Sequence, residues 1–243
     1  MIQAIRALLQ FTTILPLGKT APFDAFARNT WLYPLSGYVT GGIGAVLILL
    51  LPAPPFILAV MATGLIFLIS GANHLDGLFD FGDGLMAHGS REKRIKALTD
   101  RQMGTGALAL GMIITLLAIA SLSSLHQTII AASALIFAEA GGKWGMALLT
   151  TYGRPFHEGL HSALYKNTKK WSIVPATLLL IPAFLLPLPF NAKLAACIVL
   201  VLVPLFMRFL AYRLFGGVNG DVTGATGEIN RCALLTVLAI ILF

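Results

Sequence analysis

Charge is what this chain has least of. Lys, Arg, Asp and Glu together make up 11% of its 243 residues, where an ordinary soluble domain carries about 25%. A soluble fold of this length needs a polar surface that these residues cannot supply. Cysteine is scarce too: Cys197 and Cys232 both stand in or beside apolar runs. Two such residues build neither a disulfide framework nor a metal-ligand set, and they read as packing residues. No Ser-rich or charge-rich linker divides the chain, so residues 1–243 are expected to form a single membrane-embedded domain. The stretch from Met1 to Lys19 has an apolar run with no small-residue cleavage site after it. It reads as an N-terminal interfacial helix rather than a signal peptide.

What the chain has in abundance is apolar residues, 57% of the total, for a mean hydropathy of +0.85. An all-α, polytopic integral membrane protein follows, because a crossing helix needs about 20 mostly apolar residues. Seven crossings are predicted, over 33–51, 56–72, 106–125, 128–149, 172–188, 194–212 and 231–243. The last is the shortest. With the N-terminus inside, fifteen of the seventeen Lys and Arg fall on the inner side; Lys193 lies outside and Lys143 within the fourth span. That bias predicts a cytoplasmic N-terminus, and basic inner loops meet anionic lipid. Nucleic-acid binding is the weaker reading of the net charge of +7, since these loops lack interleaved aromatics.

Of ten acidic residues, five fall between 76 and 100. Asp76, Asp80 and Asp83 follow the second span at spacing i, i+4, i+7. On a helix they lie within about 60° of one another over about 10 Å of rise. Three like charges on one face near a bilayer repel and are costly to desolvate. A cation among them resolves this, and hard oxygen ligands suit Mg²⁺ or Mn²⁺. An acidic, water-facing helix end has the same composition, but Gly77, Gly82 and Gly84 weaken a helix that is only structural.

A short surface helix is predicted over Ser90 to Asp100, with Ser90 as its cap and Glu92 in its first turn. Its Arg91, Lys93, Arg94 and Lys96 put positive charge beside the carboxylates, an arrangement that a diphosphate substrate needs; anchoring to lipid headgroups explains any one of them equally well. Two further inner segments are rich in glycine and polar residues. Thr151 to His161 contains His157 and His161, but Pro155 and Gly159 break the segment and argue against a zinc pair. Gly216 to Gly227 has five glycines in twelve residues and reads as a loop whose N–H groups suit anionic oxygens.

These residues together resemble the cobalamin synthase family, the adenosylcobinamide-GDP ribazoletransferases. His74 to Gly84 matches the family pattern H-L-D-G-x-x-D-x-x-D-G throughout. Arg154 with Glu158-Gly159-Leu160 matches a later segment, and Gly216 to Glu228 reproduces G-G-x-x-G-D-x-x-G-A-x-x-E. Phe11 to Pro16 and Tyr33 to Gly37 look like its N-terminal signatures. The chain departs from the family at Asp100-Arg101-Gln102-Met103-Gly104-Thr105, where relatives have D-S-R-x-G-T: Arg101 stands one residue early. It is therefore expected to matter less than Arg154. Lys143 stands where relatives often have arginine.

The resemblance implies an Mg²⁺-dependent phosphoryl transfer. A hydroxyl of α-ribazole, or of its 5′-phosphate, attacks adenosylcobinamide-GDP; GMP leaves, and cobalamin or its phosphate forms. It implies Asp76, Asp80 and Asp83 as metal ligands and Asp83 or Asp221 as the base. It implies His74, Arg91, Arg94, Arg154, Asn219 and Glu228 as substrate-binding residues. The prokaryotic cell membrane is the expected location, with the site on the cytoplasmic face; homo-oligomerisation stays open. Two rival readings fit the sequence less well. A CDP-alcohol phosphatidyltransferase needs D-G-x-x-A-R, whereas Asp76-Gly77 runs on into Leu78-Phe79-Asp80-Phe81. A cation-coupled transporter should show inverted repeats with broken helices in both halves, and the aspartate segment has no second copy.

Overall fold

The computed structural model describes residues 1–242. Every element in them is helical, apart from one isolated bridge between Pro155 and Val218. In chain order these are α1 (Ile2–Thr12), α2 (Phe23–Ala27), α3 (Tyr33–Leu50), α4 (Pro55–Ile69), α5 (Asn73–Met86) and α6 (Arg91–Leu98). There follow α7 (Thr105–Ser123), α8 (Thr128–Tyr152), α9 (Leu160–Asn167), α10 (Ile173–Leu178), α11 (Ile181–Phe184), α12 (Phe190–Phe215) and α13 (Gly220–Leu242). The all-α membrane expectation holds, and length and composition support fewer than the seven expected crossings. Four helices are long and apolar enough to cross a membrane: the run from Thr30 to Leu50, α7, α12 and α13. A fifth is added if α4 and α5 count as one broken crossing, bent by 95°.

Three physical reasons separate this from seven. α8 is long enough at 25 residues and packs along α3 and α13, but Glu139, Lys143 and three glycines dilute its apolar character, so it falls short by composition alone. The stretch 172–188 contains Pro175 and Pro182, and it breaks into the short helices α10 and α11. The last crossing begins at Gly220 rather than near residue 231, so the glycine-rich segment is largely the first half of α13 and not a loop.

Small residues set the packing of the central helices. A side-chain carbon added at Gly37 of α3 would lie 2.5 Å from the Glu139 carbonyl of α8, and one at Gly142 of α8 would lie 2.7 Å from the Gly227 carbonyl of α13. Backbones approach this closely only without Cβ atoms, which is how helices gain contact where lipid gives no hydrophobic drive. Inside the resulting core, Arg231 pairs with Glu139 at 3.1 Å and Glu228 at 2.6 Å, and Thr40 donates to Glu139 at 2.6 Å.

The site depends on the turn after α4. Gly71 and Ala72 both take left-handed backbone angles, φ +62 and +56, which only glycine adopts without strain. The Ile14 N–H donates to the Ile69 carbonyl at 2.7 Å and ties the N-terminal segment to this turn. Beyond it, α5 spans about 21 Å at 1.5 Å per residue and carries three carboxylates. It packs against α13 and α7.

Candidate functional site

α5 seats itself against the starts of α13 and α7 through its glycines. A Cβ at Gly77 would lie 2.9 Å from the Asp221 carbonyl, and one at Gly82 would lie 2.6 Å from the Gly106 carbonyl. The close approach that these glycines permit is thus to other helices. It brings Asp76 and Asp80 of α5 beside Asp221, in the first turn of α13.

Those three carboxylates line one outer cavity of about 520 Å³, together with Thr99, Asp100, Arg101, His157 and Asn219. Segments that are far apart in sequence but expected on one side of the membrane therefore do meet. A second, more enclosed cavity of about 330 Å³ lies against the first and shares Asp76, Leu160, Gly220 and Asp221 with it. Burial and the nearby charges of Asp221, Asp76 and Asp83 push the Asp80 carboxyl up to about 7. A group in that condition holds a proton or draws a cation.

Asp83 does something else. Its Oδ2 accepts the Gly104 N–H at 2.7 Å and its Oδ1 accepts the Ala107 N–H at 2.8 Å. It satisfies free N–H groups at the start of α7 and lines a separate cavity beside Gly104. Among the described residues, no three His, Cys, Asp or Glu side chains converge closely enough to ligate one metal ion. Asp83 therefore stands apart from Asp76 and Asp80 of the expected triad. All three start from one helix face, but α7 takes the third.

Asn219 is buried and caps α13, its Oδ1 accepting the Val222 N–H at 3.0 Å. Its Nδ2 donates to Asp221 Oδ2 at 2.6 Å. His74 is buried at the inner cavity, with Nδ1 2.9 Å from Lys143 Nζ.

The other expected substrate contacts lie apart from both cavities. Arg94 donates to the Leu85 carbonyl at 2.8 Å, at the end of α5. Arg91 packs its guanidinium over Gly216, where φ is +82. The Arg154 side chain is exposed and outside the cavity wall, although its backbone N–H donates to the Tyr212 hydroxyl oxygen at 2.7 Å. Glu228 is interior and paired with Arg231.

Arg101, by contrast, is the one Arg or Lys on the outer cavity wall. Its place in the family motif was the signal for it, and the shifted register obscured it. His157 and His161 do not pair. His161 bridges the Gly153 carbonyl at 2.9 Å and the Thr223 hydroxyl at 3.2 Å, and burial holds it below the usual histidine range. Ser90 stands at the start of α6 without donating or accepting a capping hydrogen bond.

Residues 4–239 match a family model described as cobalamin-5-phosphate synthase. The chain is 35% identical to an adenosylcobinamide-GDP ribazoletransferase of Halorubrum lacusprofundi, over 96% of this chain and 95% of that one. It is 32% identical to the protein of that name from Methanococcoides burtonii, over 98% and 92%. A third, from Deinococcus radiodurans, is 35% identical over 91% and 80%. No solved structure matches the chain.

Proposed function

The chain belongs to the cobalamin-5-phosphate synthase family, and from that premise we propose a specific transferase reaction for it. It moves the cobinamide-phosphate moiety of adenosylcobinamide-GDP onto α-ribazole, or onto its 5′-phosphate, and releases GMP. The observation that carries this reading is the outer cavity, where Asp76, Asp80, Asp221 and Arg101 share one wall. Phosphoryl transfer asks chiefly for positioning and charge neutralisation.

The donor set of that wall fits Mg²⁺. This ion keeps several waters and takes one or two carboxylates plus substrate phosphates, so it does not require a three-carboxylate cage. Asp76 and Asp80 would hold it, and when bound it neutralises charge on the diphosphate. The raised Asp80 carboxyl supports this, because it marks a place where negative charge is short of a partner.

Asp221, oriented by Asn219, accepts the proton of the attacking hydroxyl. The hydroxyl oxygen bonds to the cobinamide-linked phosphorus, and the bond from that phosphorus to the bridging oxygen breaks. GMP departs with that oxygen. Arg101 balances the charge that builds on the departing phosphate.

The reading is tested by incubating purified protein with both substrates and Mg²⁺. GMP release that needs the acceptor and stops with EDTA is the expected result; no release with both substrates present sinks the reading. α6 and the segments that share its side of the molecule carry Arg91, Lys93, Arg94, Lys96, Arg101 and Arg154, which favours the cytoplasmic face of a prokaryotic cell membrane. Cysteines introduced at Ser90 and Asn191 should label from opposite sides, and labelling from one side refutes this orientation.

A further inference from the structure

The two adjoining cavities differ in chemistry, and the difference bears on where each substrate sits. Their shared border is Asp76, Leu160, Gly220 and Asp221, so ligands in the two cavities meet at the carboxylates. The outer cavity has Arg101 on its wall, a charged donor suited to an anionic diphosphate, while the Thr99 hydroxyl donates to the Ile95 carbonyl and the Asn219 amide to Asp221. The inner cavity has no Lys or Arg on its wall. It presents flat or polarisable surface from Phe11, Tyr33 and Met146, with Leu164, beside the polar Asn73, His74, His161 and Thr223. Its volume of about 330 Å³ is at the small end of ligand pockets, which run from about 300 to 1,000 Å³. That excludes a corrin ring and leaves room for a nucleoside.

Resting on the transferase reading above, we propose that the inner cavity is the acceptor subsite. It takes the aromatic base and sugar of the attacking nucleoside, while the outer cavity takes the diphosphate. The base lies among Phe11, Tyr33, Met146 and Leu164. The reactive hydroxyl points toward Asp221 at the shared border.

Displacement at phosphorus needs the entering and leaving oxygens roughly in line. Two cavities that adjoin at the Asp76 and Asp221 border leave room for the entering hydroxyl in one and the departing GMP in the other. The hydroxyl proton passes to Asp221, the new P–O bond forms from the inner side, and GMP leaves through the outer side. His74 also takes a part. Lys143 Nζ donates to Nδ1 at 2.9 Å, and Lys143 has only donors to offer. Nδ1 is then the acceptor nitrogen, and Nε2 carries the hydrogen available to a ligand in the inner cavity. Lys143 is thus a positioning residue for His74.

The experiment measures both Michaelis constants in one pair of variants and competition binding in the wild type. Leu164→Phe fills the inner cavity and should raise the acceptor KM about tenfold, with the donor KM changing less than about twofold. Arg101→Ala should give the reverse split. If Leu164→Phe raises the donor KM instead, or both equally, the assignment is overturned.

The wild type decides the matter even where a variant fails to fold. GMP and unphosphorylated α-ribazole should bind together, each leaving the other's affinity within about twofold; mutually exclusive binding overturns the proposal. Binding is read without turnover. A wild type that binds both ligands but never releases GMP from the donor would therefore refute the transferase reading and leave the two-cavity assignment standing.

Discussion

Asn219 serves two neighbours at once: its Oδ1 accepts the Val222 N–H at 3.0 Å, and its Nδ2 donates to Asp221 Oδ2 at 2.6 Å. The helix cap and the candidate base are therefore different residues, although they stand two positions apart.

That division gives the first prediction. Asp221→Ser should leave the thermal midpoint nearly unchanged, because Asn219 still caps α13. Turnover should fall by about 100-fold, the usual scale for loss of a general base. Asn219→Ala should cost about 1 kcal/mol of stability as a lost cap and also lower kcat by releasing Asp221. Full activity in Asp221→Ser would remove Asp221 from the chemistry.

Asp83 should separate from its two neighbours. Asp83→Ala leaves the Gly104 and Ala107 N–H groups without an acceptor, so it should lower stability by about 1–2 kcal/mol. Asp76→Asn and Asp80→Asn should abolish turnover while the thermal midpoint stays within a few degrees of wild type. Calorimetry beside a GMP-release assay checks all three. An Asp83→Ala protein of native stability with no activity would return Asp83 to the site.

Why does the sequence not show Asp83 turning to α7, when the motif around it is legible? Helical periodicity correctly put Asp76, Asp80 and Asp83 on one face. The partner that withdraws Asp83 lies 21 residues further on, beyond the reach of local spacing. The glycine-rich run failed for the opposite reason. Each glycine costs a helix about 1 kcal/mol relative to alanine, so Gly220, Gly224 and Gly227 read as loop. In the structure Gly220 opens α13, while Gly224 and Gly227 lie where it meets α5 and α8, and the packing these two allow outweighs their propensity. The apolar crossings α3, α7 and α12 were plain from hydropathy alone. The breaks at Pro175 and Pro182 were legible in principle, since each proline removes a helix donor, but the apolar run around them masked the signal.

Stability should respond to pH through Asp80. Its carboxyl is raised from 3.8 to about 7 in the fold, chiefly by burial and then by Asp221, Asp76 and Asp83. Between those values the folded chain binds more protons than the unfolded one, so stability falls as pH rises through that window. A cation among the carboxylates competes with the proton. The rise in thermal midpoint on adding Mg²⁺ to EDTA-treated protein should therefore be larger at pH 8 than at pH 5, and Asp80→Asn should flatten the difference. A larger rise at pH 5 would contradict the assignment.

The arginines give the last prediction, and the structure reverses the order expected from the motif. Arg154 sits in a segment that matches the family, yet its side chain is exposed and apart from both cavities. Arg94 spends its guanidinium on the Leu85 carbonyl at the end of α5. Arg101 stands one residue early in its motif but lines the outer cavity with Asp76, Asp80 and Asp221. Arg101→Ala should therefore lower kcat/KM by at least about tenfold, equivalent to about 1.4 kcal/mol of transition-state stabilisation. Arg154→Ala should cost less than that. Arg94→Ala should act through stability, with a lower thermal midpoint and a kcat/KM near wild type in the protein that remains folded. Arg101→Lys keeps the charge and loses the planar fork, so it tells charge from geometry: recovery of most of the activity assigns Arg101 to neutralisation, and no recovery assigns it to bidentate phosphate binding. A larger loss in Arg154→Ala than in Arg101→Ala would mean that the outer cavity is not where the diphosphate binds.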